Sequence, residues 1–176
     1  MNNIENLKKI LLSNNIKESE NIIFDIIPEL IYEKGFDQKS VWHSYDVWNH
    51  TLVAVENCDN NFDDRLVLLL HDIGKPFSYQ DDADTRHFKG HAQKSALMAK
   101  PILERLGYEK EKLSEMILLI HDHSTKIIKK DINKENINYY KRLLKIQMCD
   151  GMAYEEKHAK MIYKDLEDTK NYINNL

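Results

Sequence analysis

The 176-residue sequence contains few residues that break helices: five glycines and three prolines. It also lacks any long run of alternating β-branched residues, so the pattern does not favour a sheet. Apolar residues recur at helical spacing in several segments, which predicts an all-α fold of six to eight helices. No linker, repeat or low-complexity segment divides the chain, and we therefore expect one compact helical bundle over residues 1–176.

Cysteine, long apolar runs and excess positive charge are also scarce. The two cysteines, Cys58 and Cys149, match no metal-binding or redox spacing, and residues 1–13 lack the basic-then-apolar pattern of a signal peptide. No apolar run approaches the ~20 residues that a membrane span needs. A net charge of −4 argues against broad electrostatic binding of nucleic acid. These absences predict a reduced, cytoplasmic protein with no membrane partner.

Histidine and aspartate, in contrast, occur where apolar helices end. Three predicted helices finish in the segments LLLHD, LLIHDH and KIQMCD. Burying such polar side chains without partners costs several kcal/mol, so the fold must supply hydrogen bonds or a cation. His71 and Asp72 can form a mutually hydrogen-bonded helix end, and Asp150 can cap the last helix. The alternative is that all three residues are metal ligands.

Further histidines accompany these helix ends. The segment HSYDVWNHT places His43 and His50 seven residues apart, which predicts that both lie on one face of a helix. HFKGH adds His87 and His91 around a glycine. Imidazole and carboxylate together suit Mn, Fe, Co, Ni or Zn. The sequence therefore predicts a site for a divalent transition metal, with one or two ions and their identity left open.

The order of these segments resembles the HD superfamily of metal-dependent phosphohydrolases. HSYDVWNHTLVAV, LLLHDIGKP and HFKGHAQKSALMAKPILERL are similar to the HD domain attached to bacterial tRNA nucleotidyltransferases of the CCA-adding, poly(A) polymerase-like family. The resemblance covers residues 41–151, and the helical flanks 1–40 and 152–176 match no family. No Gly-Ser followed by paired acidic residues precedes residue 41, so the resemblance implies a free-standing HD domain and not nucleotide addition.

The resemblance also implies roles for individual residues. The ligands of the primary metal in this family correspond to His50, His71, Asp72 and Asp150. Asp72 is the shared ligand and a catalytic residue, and His91 and His121 correspond to the histidines of a second metal in dinuclear members. His123 and Asp122 are lower-ranked candidates. The catalytic candidate Lys75 can either contact a phosphate oxygen as a point charge or face solvent.

The implied function is a metal-dependent phosphohydrolase in which metal-bound water attacks a phosphomonoester or phosphodiester. The expected partner is a small phosphorylated substrate, a nucleotide or a 2′,3′-cyclic phosphate, with an RNA 3′ end as a further candidate. The alternative is a nucleotide-binding or regulatory HD module without turnover, and a purely structural helical protein is a third interpretation. The sequence leaves the oligomeric state open.

Overall fold

The computed structural model describes residues 2–176, and Met1 of the predicted N-terminal flank lies outside them. The eight α-helices of this range are α1 Asn3–Leu11, α2 Glu20–Ile26, α3 Val47–Asn57, α4 Phe62–Leu70, α5 His91–Arg105, α6 Lys110–Asp122, α7 Ile137–Gly151 and α8 Glu156–Asn174. Short 3-10 segments lie at Lys17–Ser19, Pro28–Glu33, Lys75–Phe77 and Lys129–Asp131. A small antiparallel hairpin pairs β1 (Gln80–Asp82) with β2 (Thr85–His87). The all-α prediction is confirmed.

Helix α4 lies at the centre of the bundle. Its residues Leu66 to Leu70 are completely buried, and the helix contacts α1, α3, α6 and α7. Asn61 caps the N-terminus by accepting a hydrogen bond from the Asp64 amide at 3.1 Å. Because neighbouring helices surround α4, the residues that follow Leu70 emerge inside the bundle and not at its surface.

The predicted flanks are part of the same core. One hydrophobic cluster runs from Leu7 in α1 to Ile173 in α8. Helix α8 lies along α7, where the Tyr163 hydroxyl donates to the Met148 carbonyl at 2.9 Å. Within residues 2–176, no helix is long and apolar enough to cross a membrane.

Local structure departs from the sequence predictions at three places. The helix predicted from Ser40 begins only at Val47, because Asp46 caps it by accepting from the Asn49 amide at 2.7 Å. The predicted polar loop before α5 contains the β1–β2 hairpin. Pro101 does not divide α5. Proline has no N–H, so the Leu97 carbonyl loses its helical hydrogen-bond partner. Both residues lie on the solvent side of the helix, where water can replace the lost hydrogen bond.

Candidate metal centre

Four predicted ligands from three helices meet inside the bundle. His50 lies on α3, His71 and Asp72 directly follow α4, and Asp150 lies near the end of α7. The Asp150 Oδ1 atom is 2.8 Å from His50 Nε2 and 3.3 Å from His71 Nε2. Asp72 Oδ2 is 3.3 Å from His71 Nε2 and 3.7 Å from His50 Nε2. All four residues are buried.

The other oxygen of Asp72 faces a second pair of histidines. Asp72 Oδ1 lies 3.4 Å from His91 Nε2 at the start of α5 and 3.6 Å from His123 Nε2, just beyond α6. The two Nε2 atoms are 3.2 Å apart. Asp72 therefore stands between two groups of imidazoles, and we call the set His50, His71, Asp72, His91, His123 and Asp150 the His–Asp cluster.

All four imidazoles of the cluster are oriented in the same way. In His71, His91 and His123, Nδ1 lies 2.6–2.8 Å from the carbonyl oxygen three residues earlier. The Nδ1 atom of His50 lies 3.3 Å from the Ala153 carbonyl. Each Nδ1–H group can donate to its carbonyl, which directs Nε2 into the cluster, where it can bind a metal once it carries no proton. The backbone thus fixes the ring direction that ligation requires.

A glycine allows α5 to approach Asp72. A Cβ atom at Gly74 would lie 2.6 Å from both the His91 carbonyl oxygen and the Ser95 amide nitrogen, too close for any side chain. The Gly74 amide donates instead to Ser95 Oγ at 2.9 Å. The first turn of α5 can therefore lie against the chain after α4, which brings His91 to the carboxylate.

Lys75 is buried beside the cluster and does not face solvent. Its Nζ lies 2.6 Å from Asp72 Oδ2 and donates to Gln38 Oε1 at 2.8 Å. Burial alone would raise the pKa of Asp72, but His71 and Lys75 outweigh it and hold this pKa well below its usual value. Burial also opposes the charged form of His71, yet the Asp72 and Asp150 carboxylates raise its pKa well above the ordinary value. Charge attraction therefore dominates desolvation at both residues.

The donor atoms of the cluster fit a metal ion. His71 Nε2 and Asp72 Oδ1 are buried and have no hydrogen-bond partner among residues 2–176, whereas buried polar atoms normally have one. Ligand atoms of two groups lie within 4.8 Å of one another: His50, His71 and Asp150, and His71, Asp72 and His123. Imidazole and carboxylate form a donor set for divalent transition metals. The cluster can therefore hold a metal, whose identity the donors do not fix.

Comparison with known proteins agrees with this geometry. The profile of the HD domain matches residues 42–160. The chain belongs to the HD domain family. It is 32% identical over 108 residues to a CC-adding tRNA nucleotidyltransferase of Thermus thermophilus, an alignment that covers 57% of this chain and 25% of the relative. It is 28% identical over 139 residues to an A-adding tRNA nucleotidyltransferase of Deinococcus radiodurans, an alignment that covers 72% of this chain and 32% of the relative. The matched region is thus a minor part of these relatives.

The prediction for His121 is corrected by the structure. The His121 side chain of this HD domain is 45% exposed, bonds Asp122 through Nδ1 at 2.6 Å and lines a surface groove between α5 and α6. The lower-ranked His123 lies beside His91 instead. Residues two apart on a helix point in different directions, so only one of the two histidines can reach the interior. His123, like His71, directly follows its helix, but the sequence alone does not give the residue at which α6 ends.

His43 stands next to the cluster without being part of it. Since α3 begins only at Val47, the predicted helical face with His50 does not exist. The ring of His43 instead lies over Tyr154, with centroids 4.5 Å apart, and its edge meets His50 at 5.1 Å. Burial lowers the pKa of His43 to about 3, so the ring is neutral near pH 7.

A cavity of about 500 Å³ extends from the cluster of the HD domain towards α8. The cluster and Lys75 form one end, and side chains of α7, α8 and the segment after α6 form the other walls. Tyr154 and Gln147 also line this cavity, which we call the metal cavity. Sequence analysis missed both residues, because a tyrosine or glutamine near a helix end carries no signal of its own.

Proposed function

We propose that this HD domain is a metal-dependent phosphohydrolase that cleaves a phosphomonoester or phosphodiester. The position of Asp72 carries the proposal: its two carboxylate oxygens face two separate groups of histidine Nε2 atoms at the closed end of a cavity. A shared carboxylate between two imidazole groups is a suitable arrangement for one or two cations next to a bound phosphate. We further propose that the whole chain, 1–176, forms one cytoplasmic HD unit.

The residues divide between two candidate metal positions. A first ion would be held by His50, His71, Asp72 and Asp150. A second would be held by Asp72, His91 and His123. Mn, Fe, Co, Ni and Zn all suit this donor set. A bound ion supplies polarisation of the phosphoryl oxygens and a lowered pKa for nearby water.

Lys75 is a cationic group in contact with the shared ligand. Its Nζ lies 2.6 Å from Asp72 Oδ2 and donates to Gln38 Oε1 at 2.8 Å, and the residue lines the metal cavity. We propose that a further N–H of Lys75 donates to a phosphoryl oxygen of the substrate and neutralises part of its charge. The contact with Asp72 also fixes the direction of the shared carboxylate.

The relatives are tRNA nucleotidyltransferases, which supports a phosphorylated nucleotide as the substrate class. We therefore propose a nucleotide or a 2′,3′-cyclic phosphate, with an RNA 3′ end as the larger candidate. Nucleotide addition is not part of the proposal, since the matched region covers only 25% and 32% of these enzymes.

Metal analysis together with hydrolysis assays tests the proposal. Metal content of the purified protein is measured, and the chain is then assayed with Mn²⁺, Fe²⁺, Co²⁺, Ni²⁺ or Zn²⁺ against nucleoside monophosphates, cyclic nucleotides and model phosphoesters. We expect turnover that chelation removes and metal restores. Tight nucleotide binding without turnover of any substrate would instead favour the regulatory HD module.

A further inference from the structure

The metal cavity has a second end that is chemically different from the cluster. Ile162 and Leu166 lie one helical turn apart on α8, and with Ile127 they form an apolar wall. Each of the three lines the cavity, while the cluster end is polar and charged. A ligand that fills both ends needs an anionic group at one end and a flat or apolar body at the other.

Hydrogen-bond acceptors accompany the apolar wall. Gln147 lies one helical turn before Asp150 on α7, and its Nε2 donates to the Thr125 carbonyl at 2.7 Å and the Asp122 carbonyl at 3.4 Å. Its Oε1 accepts no hydrogen bond from residues 2–176, so a free acceptor remains on a residue that lines the cavity. Asp165 on α8 adds a carboxylate. The wall can therefore accept N–H or O–H groups.

Helix α8 is held close to the cluster by packing at a glycine. A Cβ atom at Gly151 would lie 3.2 Å from Ile162 Cγ2, so α8 is in tight contact at the residue next to Asp150. At the cavity, Lys126 pairs with Asp165 at 3.8 Å, and farther along α8 Lys129 pairs with Asp168. These two ion pairs connect α8 to the segment that follows α6.

We infer that α8 binds the organic part of the substrate and restricts this HD domain to phosphoesters of about one nucleoside, an inference that rests on the proposed phosphohydrolase function. A nucleoside monophosphate has the required parts: a phosphate for Lys75 and the cluster, a flat ring for Ile162 and Leu166, and N–H and O–H donors for Gln147. The Lys126–Asp165 pair borders the cavity at this end, which leaves less room for a polynucleotide chain. The residues of this wall on α8 lie beyond residues 42–160, the segment that matches the family profile.

Calorimetric titration separates the two ends of the cavity with three probes. The protein is titrated with Mn²⁺, and the Mn²⁺-loaded form is then titrated with inorganic phosphate and with adenosine or uridine monophosphate. Leu166→Trp should place a larger side chain in the cavity at the apolar wall and weaken nucleotide binding at least tenfold. The affinities for Mn²⁺ and phosphate should stay within twofold of wild-type values. Met161→Trp is the matched control, because Met161 lies on the same helix, is 61% exposed and does not line the cavity.

If Leu166→Trp does not fold, Leu166→Ala provides the same test with a smaller effect, a loss of nucleotide affinity of threefold or more. Unchanged nucleotide binding, an equal loss of phosphate binding, or no binding of either nucleotide by the wild-type protein would overturn the inference. An oligoribonucleotide with a 3′ phosphate that binds as tightly as the nucleoside monophosphates, or more tightly, would overturn the proposed limit to about one nucleoside. If the wild-type protein binds these nucleotides but hydrolyses none of them, the phosphohydrolase proposal is rejected while the inference about α8 stands.

Discussion

The two ends of the metal cavity are built in different ways. At the cluster end, polar side chains are buried, and backbone carbonyls fix four imidazoles. At the α8 end, the α8 side chains Ile162 and Leu166 are only half-buried, and solvent-exposed ion pairs such as Lys126–Asp165 hold the helix to its neighbour. Exposed ion pairs contribute roughly 0–1 kcal/mol each. The cluster end is therefore rigid, whereas the α8 end can be changed at little cost in stability.

This difference separates the reaction from the choice of substrate. The cluster lies within residues 42–160, which match the HD profile, while the wall residues of α8 lie after them. In the proposed function, a fixed metal centre with an adjustable wall would let the same chemistry act on different phosphoesters. Substitutions at the two ends should accordingly change different quantities: metal affinity and turnover at the cluster, and nucleotide affinity at α8.

The largest expected effect is at Asp72. Asp72→Asn keeps the side-chain volume but replaces a charged carboxylate with a neutral amide, which is a much poorer metal ligand. We therefore expect the rate of hydrolysis to fall by far more than the roughly 10–100-fold typical of substitutions next to metal ligands. Circular dichroism should show an intact fold. Chelator should lower the melting temperature of the wild-type protein but not of the variant, because only the wild-type protein is stabilised by bound metal. Wild-type turnover by the folded variant in chelator would reject metal-dependent catalysis at this site.

The next effect distinguishes two histidines that are neighbours in sequence. His123→Gln removes an Nε2 donor of the cluster, and we expect metal affinity to fall by about 10–100-fold, as for changes around other metal ligands, or one ion fewer to bind. His121→Gln, on the exposed side of α6, should leave metal affinity within twofold and the number of bound ions unchanged. Calorimetry with Mn²⁺ compares the two. An equal loss of metal binding in both variants would mean that His123 is not a specific ligand and that the end of α6 acts only through folding.

A smaller effect is expected at Lys75. Lys75→Met keeps the buried aliphatic stem but removes the ammonium that we place against the substrate phosphate. The metal should remain bound, while KM rises or kcat falls by about tenfold, the size of one lost contact of about 1.4 kcal/mol. Steady-state kinetics with metal content measured in parallel gives the result. Loss of the metal itself would assign Lys75 to holding Asp72 and not to substrate binding.

The smallest effect on activity is expected at a second buried carboxyl group, Glu33, whose protonation should change stability instead. Asp72 has cationic neighbours, but Glu33 is completely buried and has no hydrogen-bond partner among residues 2–176, and burial raises its pKa to about 8 from 4.5. Between these pH values the folded state holds one more proton than the unfolded state. Stability should therefore fall as pH rises from 4.5 to 8, by up to about 1.4 kcal/mol per pH unit, and then level off.

Urea unfolding of wild-type protein and Glu33→Gln at pH 5 and pH 8 checks this sign. The variant cannot ionise at this position. Its free energy of unfolding should therefore decrease less from pH 5 to pH 8 than that of the wild-type protein. Because both proteins carry the same histidines, the difference between them isolates Glu33. An identical pH dependence would show that Glu33 does not carry this proton.

Much of the fold and part of the candidate site could be predicted from the sequence alone. Helical periodicity with few glycines and prolines determined the all-α class, because apolar spacing directly reports which face of a segment is buried. The resemblance of HSYDVWNHT and LLLHDIGKP, followed by Asp150 in KIQMCD, to the HD superfamily nominated His50, His71, Asp72 and Asp150. The helix ends LLLHD and KIQMCD support three of these residues on their own, because polar side chains there need partners.

Only the tertiary structure decided how the site is completed. The choice of His123 over His121 depends on the residue at which α6 ends and on which side chain then turns inwards. The burial of Lys75, the place of His43 outside α3 and the presence of α8 over the cavity all depend on contacts between distant segments. Local pattern cannot determine such contacts, because they follow from how complete helices pack around α4 and from close approaches at Gly74 and Gly151.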